Sequence, residues 1–244
     1  MRISTGVAKL WVCTAVILVS AGIAAAQMGG MMGGGGASAM RGIWNPTVGA
    51  GAEYQMVTTS QRGGQQTSDM TIAVVGKEDY NGAPAYWLEM TMQDPRKGGT
   101  MYIKYLIVID AGNTRPIKMI MQSPGQPPME MDLQAMQGMM GNRQPPPQPA
   151  DISKQGKDLG SETVTVPAGT FTCEHYQSAD GGDVWVSTKV SPWGMVKMNS
   201  KDATMVLEKV VTDAKDMITG TPQQMPSFGG MGGAMGGMQQ PPQH

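Results

Sequence analysis

The stretch Glu162–Met198, ETVTVPAGTFTCEHYQSADGGDVWVSTKVSPWGMVKM, decides how this chain is read. Apolar and polar residues alternate on either side of two turn signals, Pro167-Ala168-Gly169 and Asp180-Gly181-Gly182. Alternation with a period of two, broken by turns, marks antiparallel strands with one packed face and one wetter face. The stretch is therefore read as a β-meander. It also holds Cys173 and His175, two of the few residues in the chain with metal or nucleophile chemistry.

The same pattern extends upstream. Residues 53–59 alternate, Asp69–Gly76 is rich in β-branched residues, and Asp79-Tyr80-Asn81-Gly82 predicts a hairpin through its Asn-Gly pair. In Ala85–Gln93, Tyr86, Leu88, Met90 and Met92 fall on one face, and Ala85, Trp87, Glu89 and Thr91 on the other. Thr100–Asp110 (TMYIKYLIVID) is apolar on both faces apart from Lys104, which predicts a strand covered on both sides. Pro116–Gln122 and Asp202–Val211 complete a list of nine to eleven strands; Leu207, Val210, Val211 and Ala214 also have helical spacing, so a short helix is expected to end the last one. Turn signals this closely spaced favour an antiparallel meander over βαβ units. Sandwich, closed barrel and open half-barrel all fit that list. The hairpin Val75–Met92, with Trp87, loosely echoes Val166–Val186, with Trp185, but the register does not hold and no repeat is assigned.

Between Ser123 and Lys157 prolines bracket a methionine-rich insertion. Leu133, Met136 and Met140 form a helical stripe of about two turns, too short to stand alone in water and expected to dock on the sheet. At the N-terminus, the basic Arg2 and Lys9 precede an uncharged apolar run, Leu10–Ile23, followed by Ala24-Ala25-Ala26, the pattern of a cleaved signal peptide, with cleavage after Ala26. The expected organisation is a signal peptide at 1–26, Gly/Met-rich disordered tracts at 27–42 and 219–244, and one β-rich domain at 43–218. The location is then periplasmic or secreted, with no transmembrane segment after cleavage.

Arg2 and Lys9 are the only charges of that leader, so the 18 basic and 19 acidic residues of the whole chain become 16 and 19, a net charge of −3. No basic face is implied, which argues against nucleic acid as a partner. Cys173 is the only cysteine outside the leader, so no internal disulfide is expected.

Cys173 and His175 lie two apart on a strand and could meet on a soft metal, but the packing alternative, with the thiol buried and His175 at the rim, is preferred. The 25 methionines cluster in the tracts, with Met28, Met31 and Met32 at one end and Met231, Met235 and Met238 at the other. These clusters resemble the Met-rich segments of exported copper-handling proteins, and thioethers select Cu(I). Acidic pairs such as Glu78-Asp79 sit at turns and are read as solvated charges. No G-x-S-x-G, H-E-x-x-H, Walker or Rossmann pattern is present, so no enzyme and no cofactor are expected.

The motifs ETVTVPAGTFTC (162–173), DVWVS (183–187) and PWGMVKM (192–198) resemble bacterial exported proteins of unknown function. Those families are in turn similar to the LolA/LolB-like half-barrel of periplasmic lipoprotein carriers and receptors. The resemblance implies a mainly β fold: a single curved antiparallel sheet with one short covering helix. It also implies a non-enzymatic function, the binding of a lipid or other hydrophobic ligand, or of an envelope partner, in the concavity of the sheet. Ile103, Tyr105, Ile107, Met136 and Met140 are the expected lining. The alternative is Cu(I) handling through the Met-rich tracts, with Met231, Met235 and Met238, and Cys173 and His175, as ligands.

Overall fold

A computed structural model describes residues 41–59, 64–93, 98–110, 113–135 and 150–224. Residues 1–40 and 225–244 lie outside them, and with them the expected signal peptide and all of the N-terminal tract but Arg41 and Gly42, as do Met136, Met140, Met231, Met235 and Met238. In chain order the strands are β1 (Arg41–Gly42), β2 (Gly51–Thr59), β3 (Gln65–Tyr80), β4 (Ala83–Gln93), β5 (Thr100–Asp110), β6 (Asn113–Gln122) and β7 (Met129–Asp132). They continue with β8 (Ala150–Asp151), the one-turn helix α1 (Ile152–Gln155), β9 (Lys157–Val166), β10 (Gly169–Gln177), β11 (Asp183–Val186), β12 (Met195–Asn199), β13 (Ala203–Val211) and β14 (Gln223–Gln224).

Twelve strands form one open sheet in the order β14-β7-β6-β5-β4-β3-β2-β13-β12-β11-β10-β9. The expected class, mainly β with a single unclosed sheet, is what the chain adopts. Two meanders, β2 to β7 and β9 to β13, are joined where β13 pairs antiparallel with β2, Val211 opposite Gly51. The remaining pair, β1 with β8, is parallel and two residues long. The Asn-Gly signal is realised at the β3–β4 turn: Asn81 and Gly82 have φ of 53° and 83°, and the Gly82 amide donates to Asp79 Oδ1 at 2.8 Å. Both values lie in the left-handed region, which Asn tolerates and Gly adopts without penalty.

One face of the sheet carries the core. Tyr54, Ile72, Leu88, Ile107, Val186, Met195, Met205 and Leu207 belong to one cluster that draws on strands from both meanders. A flat sheet could not bring those strands around a single core, so this face is concave. The segment Ile43–Thr47 and the β11–β12 loop help to fill it; the Ile43 amide donates to the Trp193 carbonyl at 2.8 Å and the Asn45 amide to that of Pro192 at 2.7 Å. Ile152 of α1 and Leu133 are also buried there. Leu133 opens a helical turn capped by Asp132, whose Oδ1 accepts from the amides of Gln134 and Ala135, both at 2.9 Å. The rest of the expected covering helix lies outside the described residues.

β5 is covered on both sides, as its composition predicted. Tyr105 and Ile107 enter the concave core, while Leu106 and Val108 join Ala85 and Ile117 in a second cluster on the convex face. Helical spacing at the end of β13 does not produce a helix. Beyond Val211 the chain runs as an irregular strap to Gly220. Its polar groups are tied to the convex face, which helical winding would not permit. The Ala214 amide donates to the Gly49 carbonyl at 2.9 Å and the Thr219 amide to Gln122 Oε1 at 3.2 Å. β14 then lies parallel against β7.

Candidate functional site

Register places methionines in rows across the concave face. Directly opposed residues on neighbouring strands share a face. Tyr54 opposes Met70, Met70 opposes Met92, and Met92 opposes Met101. The next row is Ile72, Met90, Ile103, Met121 and Met129, and the one after it Val74, Leu88, Tyr105, Met119 and Met131. Burial is graded along the rows. Tyr105 and Ile107, two of the expected lining residues, are 4% and 0% exposed and serve as core. Ile103, with Met92, Met101, Met121, Met129 and Met131, stays half-buried. The accessible apolar surface is thus the methionine-bearing end of the concave face. Met side chains are unbranched and polarizable, and adapt to irregular apolar contacts.

At the other end of the face three rings meet. Trp44 lies 4.4 Å from Trp193 and edge-on to Tyr86 at 6.1 Å, between centroids. The indole N–H groups of Trp44 and Trp193 are buried without a hydrogen-bond partner. Burying an unpaired donor is costly, and among the described residues these are the two side-chain N or O atoms that do so. Tyr54, by contrast, donates its hydroxyl to the Met195 carbonyl at 3.0 Å, and burial pushes its phenol well above the usual range.

On the convex face the strap covers a polar group that sequence reasoning missed. Glu89 is 3% exposed, and both its carboxyl oxygens lie within reach of the Met217 amide, at 3.2 and 3.3 Å. Lys104, directly opposite Glu89 on β5 and 8% exposed, forms a short ion pair with Asp216 of the strap. Burial, and a side-chain hydrogen bond to Asp216, push the Glu89 carboxyl up to about 7, although Lys104 and the Met217 amide work against the rise. Partial burial raises Asp216 too, but the Lys104 ammonium beside it holds it below the usual carboxylate range. A neutral Glu89 donating to an ionised Asp216, itself paired with Lys104, satisfies all three groups. Beside them is a cavity of about 350 Å³, lined by Thr71, Glu89, Thr91, Asp213, Lys215 and Met217 among others. The signal was present as the single lysine of an apolar strand, but its partners needed register and the strap.

Cys173 and His175 part company. The thiol is 1% exposed, gives its weak hydrogen bond to the Phe171 carbonyl at 3.8 Å, and is pushed up to about 11 by burial, with Glu162 and Glu174 adding to the rise. His175 stacks on Trp185 at 4.4 Å, with Nδ1 3.2 Å from Glu162 and Nε2 3.0 Å from Asp183. A register irregularity between His175 and Tyr176 accompanies this arrangement. Among the described residues no three His, Cys, Asp or Glu side chains converge as metal ligands. The two tryptophans of the echoing hairpins do have matching surroundings. Trp87 Nε1 donates to Glu78 at 2.9 Å beneath Lys104, and Trp185 Nε1 donates to Glu162 beneath Lys197. Each lysine caps an indole face in a cation–π contact.

No family model matches the chain, and no curated protein matches it. Solved structures that resemble it include a Bacteroides fragilis protein described as exported, with a YmcC-like fold: 13% identity, TM-score 0.31, 69% of this chain and 99% of that one. A Parabacteroides distasonis protein described as a lipoprotein matches at 16% identity and TM-score 0.32, over 69% of this chain and 98% of the other. MucB matches at 11% identity and TM-score 0.35 over 72% of this chain, which spans only 58% of it. At these scores and identities the likeness carries no functional argument.

Proposed function

We propose that this chain is an exported, non-enzymatic binding protein whose concave face takes the acyl chain of a lipid or a comparable hydrophobic ligand. The observation that carries the reading is the half-buried apolar surface formed by Met92, Met101, Ile103, Met121 and Met131 at one end of that face. Monomeric proteins bury such rows unless something docks on them, and methionine suits a ligand of variable shape. Each methylene moved from water to this surface contributes about 0.8 kcal/mol. Six methylenes would therefore supply about 5 kcal/mol before the cost of association. The core positions Tyr105 and Ile107 back the surface and hold it rigid.

The test uses delipidated protein and cis-parinaric acid as the fluorescent probe. Saturable binding, weakened at least tenfold by Met92→Glu or Ile103→Glu with an unchanged far-ultraviolet circular dichroism spectrum, is the expected result. Absence of saturable binding, or equal affinity in both variants, would overturn the reading. Native mass spectrometry of protein from its own host would identify the natural ligand by mass.

A further inference from the structure

The rows bring four thioethers together on two adjoining strands. Met119 lies opposite Met131, and Met121 lies opposite Met129. Within each strand the two methionines are two apart, so all four share the concave face. The alternate residues confirm the phase: Lys118 and Glu130 form a 3.3 Å ion pair on the other face, where Gln224 also donates to Glu130 at 2.8 Å. Opposed Cβ atoms stand roughly 5 Å apart, and residues two apart along a strand roughly 7 Å. The four form a rectangle whose corners lie about 4 Å from its centre by those spacings. An unbranched side chain with three rotatable bonds can lean its sulfur inward from each corner.

The geometry points to a thioether site for a soft monovalent ion, Cu(I), at the Met119, Met121, Met129, Met131 quartet. Thioether sulfur is a soft donor that favours Cu(I) over hard divalent ions. Among the described residues, those directly opposed across this patch bring no carboxylate or imidazole to the concave face, and the side-chain amide of Gln223, opposite Met129, is the one hard donor beside it. Three of the four methionines are half-buried and Met119 is 4% exposed, so an ion can reach the rectangle and find a firm floor. Leucine would fill an apolar surface with better-defined rotamers; methionine at all four corners supplies sulfur instead. A thioether carries no titratable proton, so affinity is independent of pH, unlike that of thiolate or imidazole sites. The site does not depend on the acyl-chain reading. It uses the sulfur of these residues, where the acyl chain would use only their apolar surface.

The experiment is an anaerobic Cu(I) titration against a competing chelator. The parent is the full chain with the methionines of the 28–42 and 221–244 tracts changed to leucine, which removes the sulfur of both tails. One ion per chain is expected, with a shell of sulfur alone by X-ray absorption and an affinity that varies less than threefold between pH 5.5 and 8. Met121→Leu with Met129→Leu should weaken binding at least tenfold while the far-ultraviolet circular dichroism spectrum stays unchanged. Unchanged Cu(I) affinity in that double variant, or nitrogen or oxygen in the shell, would overturn the proposal. Should the double variant fail to fold, replacement of every methionine by norleucine removes sulfur while keeping a straight apolar side chain. Cu(I) binding retained by that protein would equally overturn it.

Discussion

Glu89→Gln isolates the strap's anchor. The Glu89 carboxyl is raised from 4.5 to about 7. A tenfold gain in proton affinity corresponds to about 1.4 kcal/mol of preference for the neutral form in the folded state, so the whole rise corresponds to about 3 kcal/mol. The cavity of about 350 Å³ beside the carboxyl admits water, and screening there reduces the expected effect to roughly half, about 1–2 kcal/mol. A carboxyl raised in the folded state stabilises fully below the unfolded value near 4.5, and that stability is lost as pH climbs through about 7. Asp216 is displaced the other way, so it loses stability only under more acidic conditions and does not offset the effect in this window. Glutamine keeps the hydrogen bonds, accepting from the Met217 amide and donating to Asp216, without ionising. Thermal melts followed by circular dichroism at constant ionic strength should show the wild type losing roughly 3–6 °C between pH 4.5 and 8. Glu89→Gln should be nearly flat across that range and the more stable protein at pH 8. A variant equally destabilised at both pH values, or a wild type with no decline, would refute the reasoning.

Three further outcomes follow from local geometry. Tyr54→Phe removes the buried hydroxyl that donates to the Met195 carbonyl and should cost about 1 kcal/mol in urea denaturation, rising toward 3 if that carbonyl stays dry; no loss would show that water replaces the hydroxyl. Gly51→Ala would place its Cβ 2.6 Å from both the Ala73 Cβ and the Ile72 carbonyl oxygen of β3, the strand beside it in the first meander. That overlap should destabilise by about 1–3 kcal/mol, and a neutral result in the same assay would mean that β3 yields. Cys173, with its thiol raised to about 11, should be thiolate in only about 0.1% of molecules at pH 8. Its tryptic peptide should stay unalkylated by iodoacetamide in native protein and react in urea; rapid native labelling would place the thiol at the surface.

The strands were legible wherever hydropathy alternated. β4 and β5 were read almost to the residue, and the Asn81-Gly82 turn was placed because only a few residue pairs suit it. β3 was read too short, since Gln65–Ser68 and Lys77–Tyr80 are polar ends held by ladder hydrogen bonds that hydropathy does not register. Residues 212–222 have no periodicity, and what binds them is backbone amides meeting Gln122, Glu89 and Gly49 from distant parts of the chain. The concave surface was half legible. Ile103, Tyr105 and Ile107 were expected to line the concavity together, yet Tyr105 and Ile107 are buried as core while Ile103 stays half-buried beside them, a difference that hydropathy does not register.

The pairing of β13 with β2 has a kinetic consequence. These strands are separated by most of the folded chain, while almost every other neighbour in the large sheet is a local hairpin. Local hairpins close quickly, and a pairing across so long a loop closes late. Each meander can therefore zip up early and wait with one bare central edge until synthesis reaches Val211. During that wait the β2 edge is a template for any passing strand, including another copy of the same chain.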